Sequence, residues 1–124
     1  MTKPLALLLH EKLLPGSQLL NRLEDNGYRV QATNSVKELV ELAKAEKPML
    51  VFTDLRDRTG QVPNAIKQLK QDSETSHLPV IAYAAEGETV LQEAARLAGA
   101  ALVVNESVLL VHLDHFMDQA LQVE

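Results

Sequence analysis

The sequence of 124 residues contains no cysteine and no tryptophan, and aromatic residues make up only 3% of it. The absence of cysteine excludes disulfide bonds, thiolate catalysis and cysteine-based zinc sites, and it is typical of a cytoplasmic protein. Because aromatic side chains are scarce, aliphatic side chains must fill the core. Hydrophobic residues account for 46% of the chain, which predicts a folded protein rather than a disordered one.

Long hydrophobic runs and an excess of positive charge are also missing. No apolar run approaches the roughly 18 residues that a membrane helix needs. The apolar stretch after the N-terminus is interrupted at His10 and Glu11, too early for a secretory signal. The net charge of −5 does not favour binding to the negatively charged backbone of a nucleic acid. We therefore predict one domain, residues 1–124, without membrane or nucleic-acid contacts.

Short apolar runs predict the strands. Four of them are continuously apolar, as is typical of parallel strands covered on both faces; they span residues 5–9, 49–52, 80–83 and 101–104. A fifth run, residues 28–33, alternates between apolar and polar side chains and is predicted to lie at an edge of the sheet.

Segments with helical spacing lie between these strands. Turn and capping residues mark the helix boundaries: Gly27 ends the first helix, Asn34 or Ser35 opens the second, Pro63 opens the third, Gly99 ends the fourth, and Ser107 opens the fifth. Strands that alternate with helices predict right-handed crossovers and a doubly wound parallel sheet. In such sheets the functional crevice lies at the carboxyl ends of the strands.

The residues at these strand ends carry a resemblance to a known family. They are His10 and Glu11, Asp54 with Gly60 in the next loop, residues 77–82 before the fourth strand, and residues 98–100 before the fifth. Over nearly the whole chain this pattern resembles the receiver domain of bacterial response regulators, flavodoxin-like modules that accept a phosphoryl group on an aspartate. The resemblance implies a five-stranded sheet of order 2-1-3-4-5 in a three-layer sandwich.

The resemblance also implies functional residues. Asp54 would be the phosphoacceptor, and Glu11, Asp54 and the backbone carbonyl of Arg56 would hold Mg²⁺. The family has two acidic residues after strand one, a Ser or Thr after strand four, a Lys after strand five and an aromatic switch residue. The corresponding residues here depart from that pattern; they are His10 with Glu11, Ala84, Glu106 beside Asn105, and Val103.

These departures predict a weakened phosphorylation site. Phosphoryl transfer depends on Mg²⁺ and on fixed cations that neutralise the transferring oxygens. The imidazole of His10 is a poorer Mg²⁺ ligand than a carboxylate. Glu106 would place a like charge opposite Glu11 and Asp54, and a unit pair about 4 Å apart is worth roughly 4 kcal/mol at an effective dielectric near 20. We expect an acidic pocket of His10, Glu11 and Asp54 without a counter-cation.

Other interpretations of the same residues stay open. An imidazole with two carboxylates is also a ligand set for transition metals, whereas a neutral His10 bonded to a neighbouring carboxylate is the simpler state. Arg56, Arg58 and Lys67 would lie around the pocket mouth. They would attract an anionic group, or they are ordinary surface cations.

The fifth predicted helix carries more apolar residues than one buried stripe requires. Receiver domains meet partners, or a second copy of themselves, through helix four, strand five and helix five, and the resemblance implies the same face here. The candidate interface residues are Val90, Leu109, Leu110, Leu113 and Met117. The alternative is that this stripe is simply a wide part of the core.

Three hypotheses for function follow. The first is a stand-alone, non-enzymatic signalling module that contacts a histidine kinase or a downstream regulator, with little or no dependence on phosphorylation and no cofactor. The second is a phosphorelay receiver that uses Asp54 with an altered, weak Mg²⁺ site. The third is a small flavodoxin-like enzyme or cofactor binder, although the sequence has no Gly-rich phosphate loop or nucleophile elbow.

Overall fold

Five strands alternate with helices along the chain. The computed structural model describes residues 4–10, 13–56, 60–85 and 87–121, without the side chains of residues 13–16. The strands are β1 (Leu5–Leu9), β2 (Arg29–Thr33), β3 (Leu50–Asp54), β4 (Val80–Ala84) and β5 (Leu102–Asn105). The helices are α1 (Leu13–Asp25), α2 (Val36–Glu46), α3 (Val62–Gln71), α4 (Thr89–Ala98), α5 (Glu106–Leu109) and α6 (Leu113–Leu121).

The strands form one parallel sheet with the order β2-β1-β3-β4-β5. The doubly wound α/β fold and its strand order are therefore confirmed, and so is the edge position of β2. In the described residues, no helix combines the length and the apolar character that would be needed to cross a membrane.

Helices cover both faces of the sheet and divide the core into two clusters. On one face, α2, α3 and α4 pack buried aliphatic residues such as Leu39, Ile66 and Ala95 against the strands. On the other face, α1, α5 and α6 contribute residues such as Leu19 and Leu109. The three central strands are buried on both faces, which explains why their sequences are continuously apolar.

The helix boundaries follow the predicted signals except at the fifth helix. The Ser35 hydroxyl accepts a hydrogen bond from the Glu38 backbone N–H and caps α2, while Gly27 and Gly99 end their helices with positive φ. The predicted fifth helix is wrong in its start and in its continuity. It begins at Glu106 rather than Ser107, and a turn at residues 110–112 separates α5 from α6; this turn includes the β-branched Val111, a residue type with reduced helix propensity.

Burial corrects part of the predicted interface. Leu109, Leu113 and Met117 are buried against the sheet in the second cluster, so the wide apolar stripe is mainly core. Leu110 is half-buried and packs against the same cluster. On α4, by contrast, the predicted interface residue Val90 is 82% exposed and remains available for contact.

Candidate functional site

Asp54 is the last residue of β3 and stands at the carboxyl edge of the sheet. It lies in register with Tyr83 on β4, and its side chain is only 5% exposed. The backbone N–H of Leu55 continues the pairing by donating to the Tyr83 carbonyl at 2.9 Å. The predicted strand-end carboxylate is therefore present, but it is largely buried.

The side chain of Arg56 folds back onto Asp54. Oδ1 of Asp54 accepts hydrogen bonds from the Arg56 backbone N–H at 2.9 Å and from Nε at 3.2 Å. Oδ2 accepts from Nη2 at 3.2 Å. The first contact is an Asx-type turn that bends the chain out of the strand, and the other two form a fork between guanidinium and carboxylate. Both carboxylate oxygens are thus engaged by the residue two positions along the chain.

The same guanidinium reaches Glu106 at the start of α5. Nη2 of Arg56 lies 2.5 Å from Oε2 of Glu106, so one nitrogen contacts both carboxylates. The expectation of an acidic pocket without a counter-cation is therefore wrong. Glu106 does place a second negative charge near Asp54, but a cation lies between the two carboxylates and turns their repulsion into a bridge of alternating charge.

Burial and charge shift the pKa values of two groups here. The hydrogen bond with Asp54 raises the pKa of the Arg56 guanidinium, and the charge of Glu106 adds to the effect. Burial raises the pKa of the Tyr83 hydroxyl far above its usual value, with a further contribution from the charge of Asp54. Arg56 is therefore a permanent cation, and Tyr83 stays neutral.

Tyr83 and Thr53 carry the buried hydroxyls of this region. Both residues are fully buried. Within the described part of the chain, neither hydroxyl makes a hydrogen bond, although buried hydroxyls are usually paired. The sequence patterns assign Thr53 no role beyond its place at a strand end. The sequence patterns place Tyr83 only within the fourth apolar run, whereas in the fold the charges of Asp54, Arg56 and Glu106 act on its hydroxyl.

The remaining predicted residues lie along the same edge. His10 directly follows β1, is half-buried, and donates its backbone N–H to the Thr33 carbonyl at 3.0 Å. Glu11 lies outside the described residues, as does Arg58. Ala84 ends β4 and is buried in the first cluster, while Val103 is half-buried against that cluster.

Asn105 links this edge to α4. It precedes α5 at the N-cap position, and its side-chain oxygen accepts a hydrogen bond from Nε2 of Gln92 at 2.7 Å. Residues 105 and 106 therefore contact different partners: Asn105 binds α4, and Glu106 binds the loop after β3.

The described residues, which do not include Glu11, do not by themselves form a site for a divalent cation. Across the described ranges, no group of three or more His, Asp or Glu side chains is arranged to hold a metal ion. Both oxygens of Asp54 already accept hydrogen bonds from Arg56. A metal ion at this carboxylate would have to displace a guanidinium that is paired and partly desolvated, at a cost of several hydrogen bonds.

Arg56 is the residue whose role the sequence reasoning missed. The resemblance implies that its backbone carbonyl holds metal, and the sequence leaves its side chain either as a cation that attracts an anionic group or as an ordinary surface cation. The available signal was its spacing, since a long cationic side chain two residues after a strand-end Asp can fold back within an Asx turn. Its second partner, Glu106, is 50 positions away, and only the sheet order brings the two together.

Comparison with solved structures identifies the fold. A protein described as a response regulator from Chloroflexus aurantiacus superposes with a TM-score of 0.88 at 19% identity, covering 97% of this chain and 98% of that one. The receiver domain of a sensor histidine kinase from Pseudomonas aeruginosa, solved with magnesium coordinated in its active-site cleft, gives 0.86 at 17% identity over 97% and 98%. A Thermotoga maritima response regulator gives 0.79 at 21% over the same shares.

Sequence comparison adds nothing to this. No protein-family model matches the chain. No curated protein matches it either. The structure places the chain in the flavodoxin-like fold that response regulator receiver domains adopt.

Proposed function

We propose that this chain is a receiver-like signalling module of two-component type that acts by protein contact, with little or no dependence on phosphorylation of Asp54. The observation that carries the proposal is the Asp54–Arg56–Glu106 bridge. A phosphoacceptor needs a free carboxylate oxygen, a bound divalent cation and room for the phosphoryl group. Here both oxygens of Asp54 accept hydrogen bonds from Arg56.

Two neighbouring positions support the same proposal. Ala84 stands where the resemblance implies a hydroxyl, and its methyl group cannot hydrogen-bond a phosphoryl oxygen. Val103 stands where the resemblance implies a mobile aromatic residue, and it packs against the first cluster. In this proposal the module needs no enzyme activity and no cofactor, and any Mg²⁺ at Asp54 is bound weakly.

One observation favours a second candidate, a phosphorylatable receiver. The guanidinium of Arg56 supplies a cation beside Asp54, and such a cation can pair with phosphoryl oxygens as well as with a carboxylate. In that case a phosphoryl group would move from a donor to Asp54 and Arg56 would rotate onto it. The alternative of a flavodoxin-like enzyme or cofactor binder gains no comparable support.

Phosphorylation separates the two candidates. The protein, Asp54→Asn and a receiver of known activity are incubated with acetyl phosphate and Mg²⁺ and analysed by intact mass. The proposal predicts an adduct on the known receiver and none on this chain. An adduct that forms readily on the wild type and is absent from Asp54→Asn would establish the second candidate, and its loss in Arg56→Met would assign the cation.

We propose α4, β5 and the start of α5 as the contact face, toward a histidine kinase, a downstream regulator or a second copy of this chain. The exposed apolar side chains of α4 and α5 support the assignment, since large apolar residues in solvent are typical of contact surfaces; they are Val90 and Leu97 on α4 and Val108 on α5. Three of the predicted residues, Leu109, Leu113 and Met117, are buried and cannot contribute.

Light scattering, which measures the mass in solution, tests whether the contact face binds a second copy of this chain. If the chain is dimeric through this face, Val90→Glu should give a monomer, because it places a charge in the contact. Lys37→Glu, on the exposed side of α2, is the matched control and should leave the mass unchanged. A dimer that survives Val90→Glu and Leu97→Glu would exclude α4 as the contact.

A further inference from the structure

The bridge at Asp54 joins the end of β3 to the start of α5, where Arg56 and Glu106 are 50 positions apart in the chain. Asp54 ends β3 and Glu106 begins α5, and Nη2 of Arg56 contacts both side chains, at 3.2 Å and 2.5 Å. The Arg56 side chain is 18% exposed. It is therefore held on two sides and partly withdrawn from solvent, which strengthens both ion pairs relative to an exposed one.

The first turn of α5 has little other support. This helix has four residues, and Asn105 at its N-cap gives no side-chain cap hydrogen bond. Its one fully buried residue is Leu109 at the far end, whereas Ser107 and Val108 are exposed. A helix this short is not stable by its own backbone hydrogen bonds, so contacts at its first residue have a large share in fixing its position.

A second contact leads from this turn to α4. The side chain of Asn105 accepts a hydrogen bond from Gln92, in the first half of α4. The polar contacts thus run from β3 through Arg56 to the start of α5 and on to α4. They end among the exposed apolar residues Val90 and Val108.

We infer that Arg56 is a positioning residue that couples the charge of Asp54 to the first turn of α5 and, through Asn105, to α4. When Asp54 is negative, the guanidinium is anchored and holds Glu106. When Asp54 loses its charge, the fork to Asp54 is lost, and Glu106 is then paired with a guanidinium that has lost its anchor on β3. The inference rests on the proposed function only in taking α4 and α5 as the contact face.

Hydrogen exchange read by mass spectrometry tests the coupling in the isolated protein. Asp54→Asn keeps the shape of the side chain and removes its charge. We expect peptides covering residues 106–111 to exchange about tenfold faster, as loss of one charge-assisted contact predicts. Peptides covering residues 72–78, at the opposite edge of the sheet, should be unchanged. Arg56→Met should give the same result, and Arg56→Lys an intermediate one, because lysine keeps the charge without the fork.

Combined and control variants distinguish coupling from general destabilisation. In the Arg56→Met background, Asp54→Asn should not raise the exchange rate at residues 106–111 further, since the contact between Asp54 and Glu106 through Arg56 is already lost. Glu106→Gln breaks the bridge from the other side and should match Asp54→Asn, so the test does not depend on one variant. Lys67→Met removes an exposed cation from α3 and should change no segment. In Gln92→Ala, Asp54→Asn should still affect residues 106–111 but no longer affect α4.

Exchange at residues 106–111 that is unchanged in Asp54→Asn would overturn the coupling, whatever the result for Glu106→Gln, because Glu106 lies within the measured segment. An equal rise of the exchange rate at residues 106–111 in Lys67→Met would overturn the coupling as well. Neither result depends on phosphorylation or on a partner, so this inference can fail while the proposed function holds. Conversely, a ready phosphoryl adduct would contradict the proposed function and leave the coupling intact.

Discussion

The two edges of the sheet use polar side chains in different ways. At the amino edge, the loop between α3 and β4 is tied by side chains that bond backbone groups. Lys70 Nζ donates to the carbonyls of Ser76 at 3.2 Å and Leu78 at 2.5 Å, and the buried Thr75 hydroxyl donates to the Leu69 carbonyl at 2.6 Å. At the carboxyl edge, one guanidinium joins two carboxylates.

This difference indicates which contacts mainly stabilise the fold and which can respond to a change of charge. A backbone carbonyl cannot change its charge, so the contacts that Lys70 and Thr75 make at the amino edge do not depend on the charge of their acceptors. A carboxylate can be neutralised, modified or drawn to another cation, so the contacts of the carboxyl edge depend on conditions and partners. We expect substitutions at the amino edge to act mainly on stability and those at the carboxyl edge to act mainly on local motion.

The largest effect is expected at Gly99. Its φ of +115° is strained for any other residue, and an added Cβ would lie 2.9 Å from Cγ of Lys70. Gly99→Ala should lower the free energy of unfolding by about 3 kcal/mol, from backbone strain and displacement of Lys70. Gly27→Ala is the matched control, with positive φ but open space around the Cβ, and should cost about 1 kcal/mol. Urea unfolding measures both; equal losses would contradict a role for Lys70.

Thr75 is next. Thr75→Val keeps the shape but leaves the Leu69 carbonyl without its donor, and we expect a loss of about 2 kcal/mol in the free energy of unfolding. Thr75→Ser retains the hydroxyl and loses one methyl group, for about 1 kcal/mol. If serine proved as damaging as valine, packing rather than the hydrogen bond would hold this loop.

At the carboxyl edge, Arg56→Met should cost about 1 to 2 kcal/mol, because it leaves the buried Asp54 carboxylate without its cation. Adding Asp54→Asn should recover part of that loss, since the unpaired charge is then gone. Thermal unfolding of the single and double variants provides the measurement. A double variant no more stable than Arg56→Met would mean that Asp54 is not the group left unpaired.

Tyr83→Phe should change the free energy of unfolding least, and it should raise it rather than lower it. Removal of a buried hydroxyl that has no hydrogen bond within the described residues should raise the free energy of unfolding by about 1 kcal/mol. Burial raises the pKa of Tyr83 in the folded protein. The wild type should therefore lose stability as pH rises above about 10, where the unfolded chain ionises first.

The same variant provides the pH control. Tyr83→Phe should lose less stability between neutral and alkaline pH than the wild type does. Some loss should remain, because burial also raises the pKa of Tyr28. If Tyr83→Phe is instead clearly destabilised, its hydroxyl has a partner in solution.

The fold could be predicted from the sequence because its signals are local. Apolar runs at strand length, Ser35 as a helix cap, and glycines at helix ends each act within a few residues. The fifth helix was only partly predictable, since the same apolar residues suit an interface and a core. Leu109 and Leu113 are buried only because α5 and α6 pack on the sheet.

The candidate site was harder to predict because its chemistry depends on a distant contact. Asp54 is recognisable from its position after a buried strand. The sign of the interaction with Glu106, however, depends on which side chain lies between them. Charge counting along the chain predicts repulsion, whereas the turn from Asp54 to Arg56 places the guanidinium in that position. A pattern of single positions does not contain that information.

The measurement that tests the central claim most directly is the side-chain NMR signal of Arg56. In ¹⁵N-labelled protein at neutral pH, a guanidinium held by two carboxylates should give an Nε–H resonance that is protected from exchange with water. That protection should disappear in Asp54→Asn and weaken in Glu106→Gln, while Lys67→Met leaves it unchanged. An Arg56 resonance that exchanges as fast as those of exposed arginines such as Arg22 would show that the bridge does not form, and would contradict the account.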